Sequence, residues 1–229
     1  MRPWCRALLL AVLAVQAAAV PTTALPLPEG TAFNAPAASE LMPAVSAYNT
    51  WIGGYPTRLK DEAQRTEVYQ RWSETLRQAR AFHAQVGDTA DALWALAALY
   101  RMGHNMDVKD CGANAEKFIE LGLAKYPDSI ALNFEASYFY LSADPKYAPR
   151  GEAALLRLRQ LKGTDRDLEI ERGLVFAYLY QNRIPEAKKQ VEHYLKLKPG
   201  DKMMLQMREG LKRPVEHKQG PPPDPKPSQ

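Results

Sequence analysis

A register of small and apolar residues that returns every 36 positions restricts this chain most. Ala115, Gly151 and Ala187 are 36 apart, as are Ile119, Leu155 and Val191, and again Pro127, Gly163 and Pro199. A fixed period of this length marks an array of like units, each too small to bury its own apolar face and stable only against a neighbour. The segments "GDTADAL", "PDSIALN", "GTDRDLE" and "PGDKMML" set a Gly or Pro ahead of an Asp or Thr and an apolar start. Gly and Pro end helices, and short polar side chains cap the next one, so these segments read as helix boundaries.

Between the boundaries Ala, Leu, Glu, Lys, Gln and Arg dominate, and no alternating β-branched run reaches strand length. The fold class is therefore all-α, with each unit a pair of antiparallel helices. First helices are predicted over Ala90–Met102, Ser129–Ser142 and Asp165–Gln181, and second helices over Gly112–Tyr126, Arg150–Lys162 and Pro185–Lys198. Ala115, Gly151 and Ala187 fall early in the second helices, where a large side chain would hold the pair apart. Upstream, Leu59–Val86 is one long amphipathic helix with Val68, Trp72, Leu76, Ala79 and Phe82 on its stripe. A short helix near Glu40–Tyr48 stops at "WIGGYP".

These positions resemble the tetratricopeptide repeat. The last unit carries Leu174, Val175, Tyr178, Ala187, Val191, Tyr194 and Pro199 at that pattern's places, and the first carries Leu93, Leu96, Ala97, Tyr100, Ala115, Ile119, Gly122 and Pro127. The middle unit offers Ser137, Tyr140, Gly151, Leu155, Leu158 and Gly163 and is the most degenerate, while the first has an inter-helix loop, "MGHNMDVKDCG", about six residues too long. The resemblance implies a short right-handed α-solenoid over residues 87–212, in units 87–127, 128–163 and 164–199 with a capping helix at 201–212. Residues 39–86 would be a helical segment, a diverged half-repeat in one reading.

The ends are of different character. "MRPWCR" followed by the 13-residue run "ALLLAVLAVQAAA" reads as a secretory signal peptide spanning 1–19, with cleavage after Ala24 as the alternative. The run is shorter than the roughly 20 residues that cross a bilayer. Export, to a bacterial periplasm or else outside the cell, is the expectation. Residues 20–38, rich in Pro, Ala and Thr, read as a flexible tether. Residues 213–229 read as a disordered tail, with six prolines in the last sixteen residues.

Removing Arg2 and Arg6 leaves 28 basic residues against 26 acids, so the exported chain is near +2, with the signs interleaved. That balance speaks against a nucleic-acid partner. Cys5 belongs to the signal, which leaves Cys111 and no internal disulfide.

The repeat resemblance assigns a concave groove to first-helix residues off the core face: Trp94, Arg101, Phe134, Tyr138, Arg172, Phe176 and Tyr180. Aromatic rings with two arginines suit a protein or peptide partner of the cell envelope, with Arg101 or Arg172 taking a carboxylate. The same rings suit stacking on sugars of an envelope polysaccharide. His104, Asp107, Asp110 and Cys111 suggest metal or thiol handling in the 103–112 loop, at a spacing that matches no established motif. His83, His104, His193 and His217 are scattered, and no nucleophile elbow, phosphate loop, dinucleotide glycine pattern or zinc-protease helix occurs. The expectation is a non-catalytic scaffold with no cofactor.

Overall fold

The helix boundaries carry the caps that the sequence places there. Thr89 Oγ1 accepts from the amide of Ala92 at 3.4 Å, Ser129 Oγ from Leu132 at 3.3 Å, and Asp167 from Glu169 and Ile170 at 3.0 and 3.3 Å. A computed structural model describes residues 24–212; the signal-peptide and tail readings fall outside the described residues. In chain order the helices are α1 (Ala38–Ala47), α2 (Asn49–Ile52), α3 (Glu62–Val86), α4 (Ala90–Asn105), α5 (Cys111–Lys125), α6 (Ile130–Ala143), α7 (Ala148–Lys162), α8 (Leu168–Tyr180), α9 (Ile184–Leu197) and α10 (Lys202–Lys212). A 3-10 turn at Pro145–Tyr147 leads into α7. Among the described residues there is no strand, and no helix is long and apolar enough to cross a membrane.

The helices pack as neighbouring pairs: α4 on α5, α6 on α7 and α8 on α9. Each second helix also touches the first helix of the next pair, and α10 closes the series against α9. Two of the three sets with the 36-position period make these contacts, while Pro127, Gly163 and Pro199 are exposed at the helix ends. Ala115, Ile119, Ala187 and Val191 are fully buried, and a Cβ on Gly151 would lie 2.8 Å from Leu141 Cδ2. Burial of each Leu, Ile or Val along these seams contributes about 2 kcal/mol.

Three segments depart from expectation. Helix α4 runs three residues past Met102, because Gly103 presses against Trp72 and Cys111: a Cβ there would stand 2.5 Å from Trp72 Cζ2 and 2.6 Å from Cys111 Sγ. The over-long loop thereby contracts to Met106–Asp110, with Asp107 and Asp110 at φ 60° and 59°, a conformation that Asp tolerates better than most residues. The short helix before "WIGGYP" extends through α2, and Leu41, Val45, Tyr48 and Ile52 bury one face of it.

The third departure is the tether. Residues 24–32 are extended, but they are held against the helices. Leu25 donates to Asp107 O at 3.2 Å and accepts from the Lys109 amide at 2.9 Å, forming a parallel bridge with Val108. Tyr69 donates to Pro26 O at 2.7 Å, Arg80 to Pro28 O at 2.6 Å and to Gly30 O at 3.2 Å, and the Ala32 amide donates to Arg77 O at 3.2 Å. Gly30, at φ 75°, takes a backbone conformation that side chains disfavour. With its carbonyls satisfied in this way, the segment is a strap across α3 and the α4–α5 connection.

Candidate interaction face

The first helices α4, α6 and α8 touch in sequence, and their common register puts Trp94, Phe134 and Arg172 at one level and Ala98, Tyr138 and Phe176 at the next. The face these residues mark is closed over α4 and open over α6 and α8. Over α4 it is covered by α1 and α2, so that Ala98, Arg101 and Asn105 are 1%, 1% and 3% exposed and Trp94 is half-buried.

Over α6, Ile130, Phe134 and Tyr138 recur every fourth residue, the spacing of one helical stripe. Over α8, Leu168, Arg172, Phe176 and Tyr180 do the same. Ile130, Tyr138, Leu168 and Arg172 are exposed, and Phe134, Phe176 and Tyr180 are half-buried. The rings pair along each helix: Phe134 and Tyr138 have centroids 6.2 Å apart, and Phe176 and Tyr180 6.3 Å apart. The Tyr138 hydroxyl donates to Glu169, which ties α6 to α8, and the Lys162 ammonium lies 5.0 Å from the Phe134 centroid. Burial first, and then the Glu169 carboxylate, push the Tyr138 phenol well above its ordinary value, so it stays a neutral donor.

Arg101 is not a free groove cation. Its guanidinium pairs with Glu135 of α6 and donates to Gly53 O at 2.5 Å and to Asn49 Oδ1 at 3.4 Å, with the Tyr138 ring 5.3 Å away. All of its strong interactions are internal, because α2 and α6 close over it. Arg172 has no hydrogen bond or ion pair to any described residue and faces solvent.

The 103–112 loop does not gather its polar residues. Cys111 opens α5 fully buried, with its thiol pushed up to about 12 by loss of solvent. His104 packs edge-on against Phe139 at 6.1 Å. Asp107 supplies a backbone carbonyl to the strap. Among the described residues no three His, Cys, Asp or Glu side chains are placed to hold a metal ion.

Sequence reasoning missed two buried acids. Glu135 is the first. Glu171 is the second: it accepts from Arg159 Nε at 3.0 Å and Gln190 Nε2 at 2.6 Å, and His193 Nε2 lies 3.3 Å from its carboxylate. It joins α7, α8 and α9 beside a cleft of about 300 Å³ that Tyr178 and Lys189 also line. A lone charge in an otherwise uncharged helix was the available signal for Glu135, the single charged residue of α6.

Comparison with protein-family models, curated proteins and solved structures returned no match.

Proposed function

We propose that the chain is an exported, non-catalytic interaction scaffold, a short tetratricopeptide-like α-solenoid that binds a protein partner in the cell envelope through the open face of α6 and α8. The observation that carries this reading is the uneven covering of one face. Its α4 portion is sealed by the chain's own α1 and α2, while Phe134, Tyr138, Phe176 and Tyr180 leave aromatic surface uncovered on two adjacent helices. Aromatic and Arg side chains dominate the energetics of protein contacts, and Arg172, exposed in the same stripe of α8, has no hydrogen bond or ion pair to a described residue. A stacked array presents such a face on rigid helices, so little ordering entropy is lost on binding. The signal-like first residues support export.

Affinity capture from envelope extract, with wild type beside Phe134→Ala/Tyr138→Ala, tests the proposal. Loss of specific captured proteins from the variant is expected. Identical captured sets would overturn it. Saturable tryptophan quenching by peptidoglycan fragments, with no protein captured, would instead favour sugar binding.

A further inference from the structure

We infer that the open part of this face takes an amphipathic helix of a partner protein, lying beside α1–α2 and carrying an acidic residue for Arg172, rather than an extended peptide. The inference rests on the reading of α6 and α8 as the partner face. Two independent features of the molecule point to a helix.

The first is the segment that already occupies the α4 portion. Residues 38–52 lie there as helix, burying Leu41, Val45, Tyr48 and Ile52 at i, i+4, i+7 and i+11, the spacing of one helical stripe. The end of that segment is received by polar groups of α4. Asn105 Nδ2 donates to Ile52 O at 2.9 Å, and Arg101 donates to Gly53 O. These are carbonyls that a helix leaves unpaired at its C-terminus. The α4 portion is thus built to hold a helix side-on and to satisfy its end, and the α6–α8 portion continues the same surface through the stack of Arg101 on Tyr138.

The second feature is what the open portion lacks. An extended peptide brings a free N–H and C=O at nearly every residue, and grooves that take one supply matching donors and acceptors. Here the backbone groups of α6 and α8 are spent within the helices. The apolar and aromatic side chains offered are Ile130, Phe134, Tyr138, Leu168, Phe176 and Tyr180. Of the polar groups, the Tyr138 hydroxyl is donated to Glu169 and Lys162 is paired with Asp167, which leaves the Tyr180 hydroxyl and Arg172, too few to match an extended backbone. A helix satisfies its own backbone and needs from a surface only apolar area and shape. Two neighbouring helices packed 8–10 Å apart, by the usual spacing, leave a valley into which a third helix sets its ridge. The other charges of this face are engaged, Lys162 with Asp167 and Glu169 with Tyr138. Arg172, exposed in the α8 stripe with no hydrogen bond or ion pair to a described residue, supplies the cation that selects a carboxylate on the incoming helix.

The test is a selection against the full chain from two displayed peptide libraries, one of helix-stabilised scaffolds and one of extended Pro-rich peptides. The expected result is enrichment of helical binders with apolar residues at i, i+3 or i+4, and i+7 together with an Asp or Glu. Their affinity should fall about tenfold or more against Phe176→Ala, a half-buried residue at the margin of the α8–α9 core, with circular dichroism and thermal unfolding confirming that the variant stays folded. Arg172→Glu should weaken them similarly, and a binder with its acid changed to Lys should regain affinity for that variant. Enrichment confined to the extended library, with binding that Phe176→Ala weakens, overturns the helix inference and leaves the partner face standing. Binders insensitive to both substitutions, or no enrichment from either library, overturn the inference and the partner face together.

Discussion

Arg101 and Glu135 form an ion pair closed to water, with side chains 2% and 4% exposed, and through it α4 and α6 are joined beneath the end of α2. A buried pair of this kind gains little over well-packed apolar side chains, but removing one partner strands the other charge. Arg101→Met is therefore expected to destabilise the chain by about 3–5 kcal/mol. The double variant Arg101→Met/Glu135→Leu should recover most of that loss. A urea-unfolding double-mutant cycle measures both, and a double variant as unstable as the sum of the singles would contradict the pairing.

Two glycines should respond differently to one added methyl group. At Gly103 the new Cβ meets Trp72, which is fully buried and anchored by an indole N–H bond to Leu99 O at 2.8 Å. At Gly151 it meets Cγ and Cδ2 of Leu141, both at 2.8 Å, a half-buried side chain with more room to yield than the indole. Overpacking of about 1–3 kcal/mol should exceed the roughly 1 kcal/mol that Ala gains in helix propensity at Gly103. Thermal unfolding should place Gly103→Ala clearly below wild type, with Gly151→Ala within about 1 kcal/mol of it.

Cys111 should be inert in the native state. Burial pushes its thiol up to about 12, so almost no thiolate exists at pH 8, and the group is also shielded from reagent. In a Cys5→Ser background, labelling with a chromogenic disulfide reagent should be at least about a hundredfold slower than in denaturant, because it requires local opening. Rapid native labelling would mean that the start of α5 is open.

Asp167 caps α8, and its carboxyl is held below its ordinary value. Partial burial works against the charged form, but the Lys162 ammonium and the amides of Ile170 and Glu169 outweigh it. A carboxyl depressed by folding stabilises the protein above its unfolded value, and that contribution fades as pH falls through the folded one. Asp167→Asn keeps a capping oxygen and removes the charge. It should cost up to about 1 kcal/mol at pH 7, with the gap to wild type closing as pH falls below about 3.9. A gap that is independent of pH would remove the charge from the account.

Much of the helix layout was legible because helix stops and caps are local signals. Thr89, Ser129 and Asp167 act at the places that the punctuation gave, and α5, α7 and α9 match their expected spans to within a turn. What stayed hidden depends on distant residues. The length of α4 is set by Trp72 and Ile52, some 30 and 50 positions away, since Gly103 fits only against the indole and Asn105 pairs with the Ile52 carbonyl. The fate of Arg101 was hidden for a related reason. Its groove position is a matter of register, but its availability depends on whether another segment lies over it, and "SELMPAVSAY" does not advertise where it docks. The pairing with Glu135 had a faint trace: α4 and α6 are strongly apolar, Glu135 is the single charge of α6, and Arg101 is the single Lys or Arg of α4, whose other charge, Asp91, sits in its first turn.

The strap has a consequence for how this region varies over time. Its contacts use Pro26 O, Pro28 O, Gly30 O and the Ala32 amide, every second residue, and all are main-chain groups. Side-chain identity there is held at Leu25 and Leu27, which pack against the core, and at the glycine, and inserting or deleting one residue would put each carbonyl out of step with Tyr69, Arg80 and Arg77. Kinship in this stretch would be preserved as a count of residues between a few fixed letters, the two leucines and the glycine.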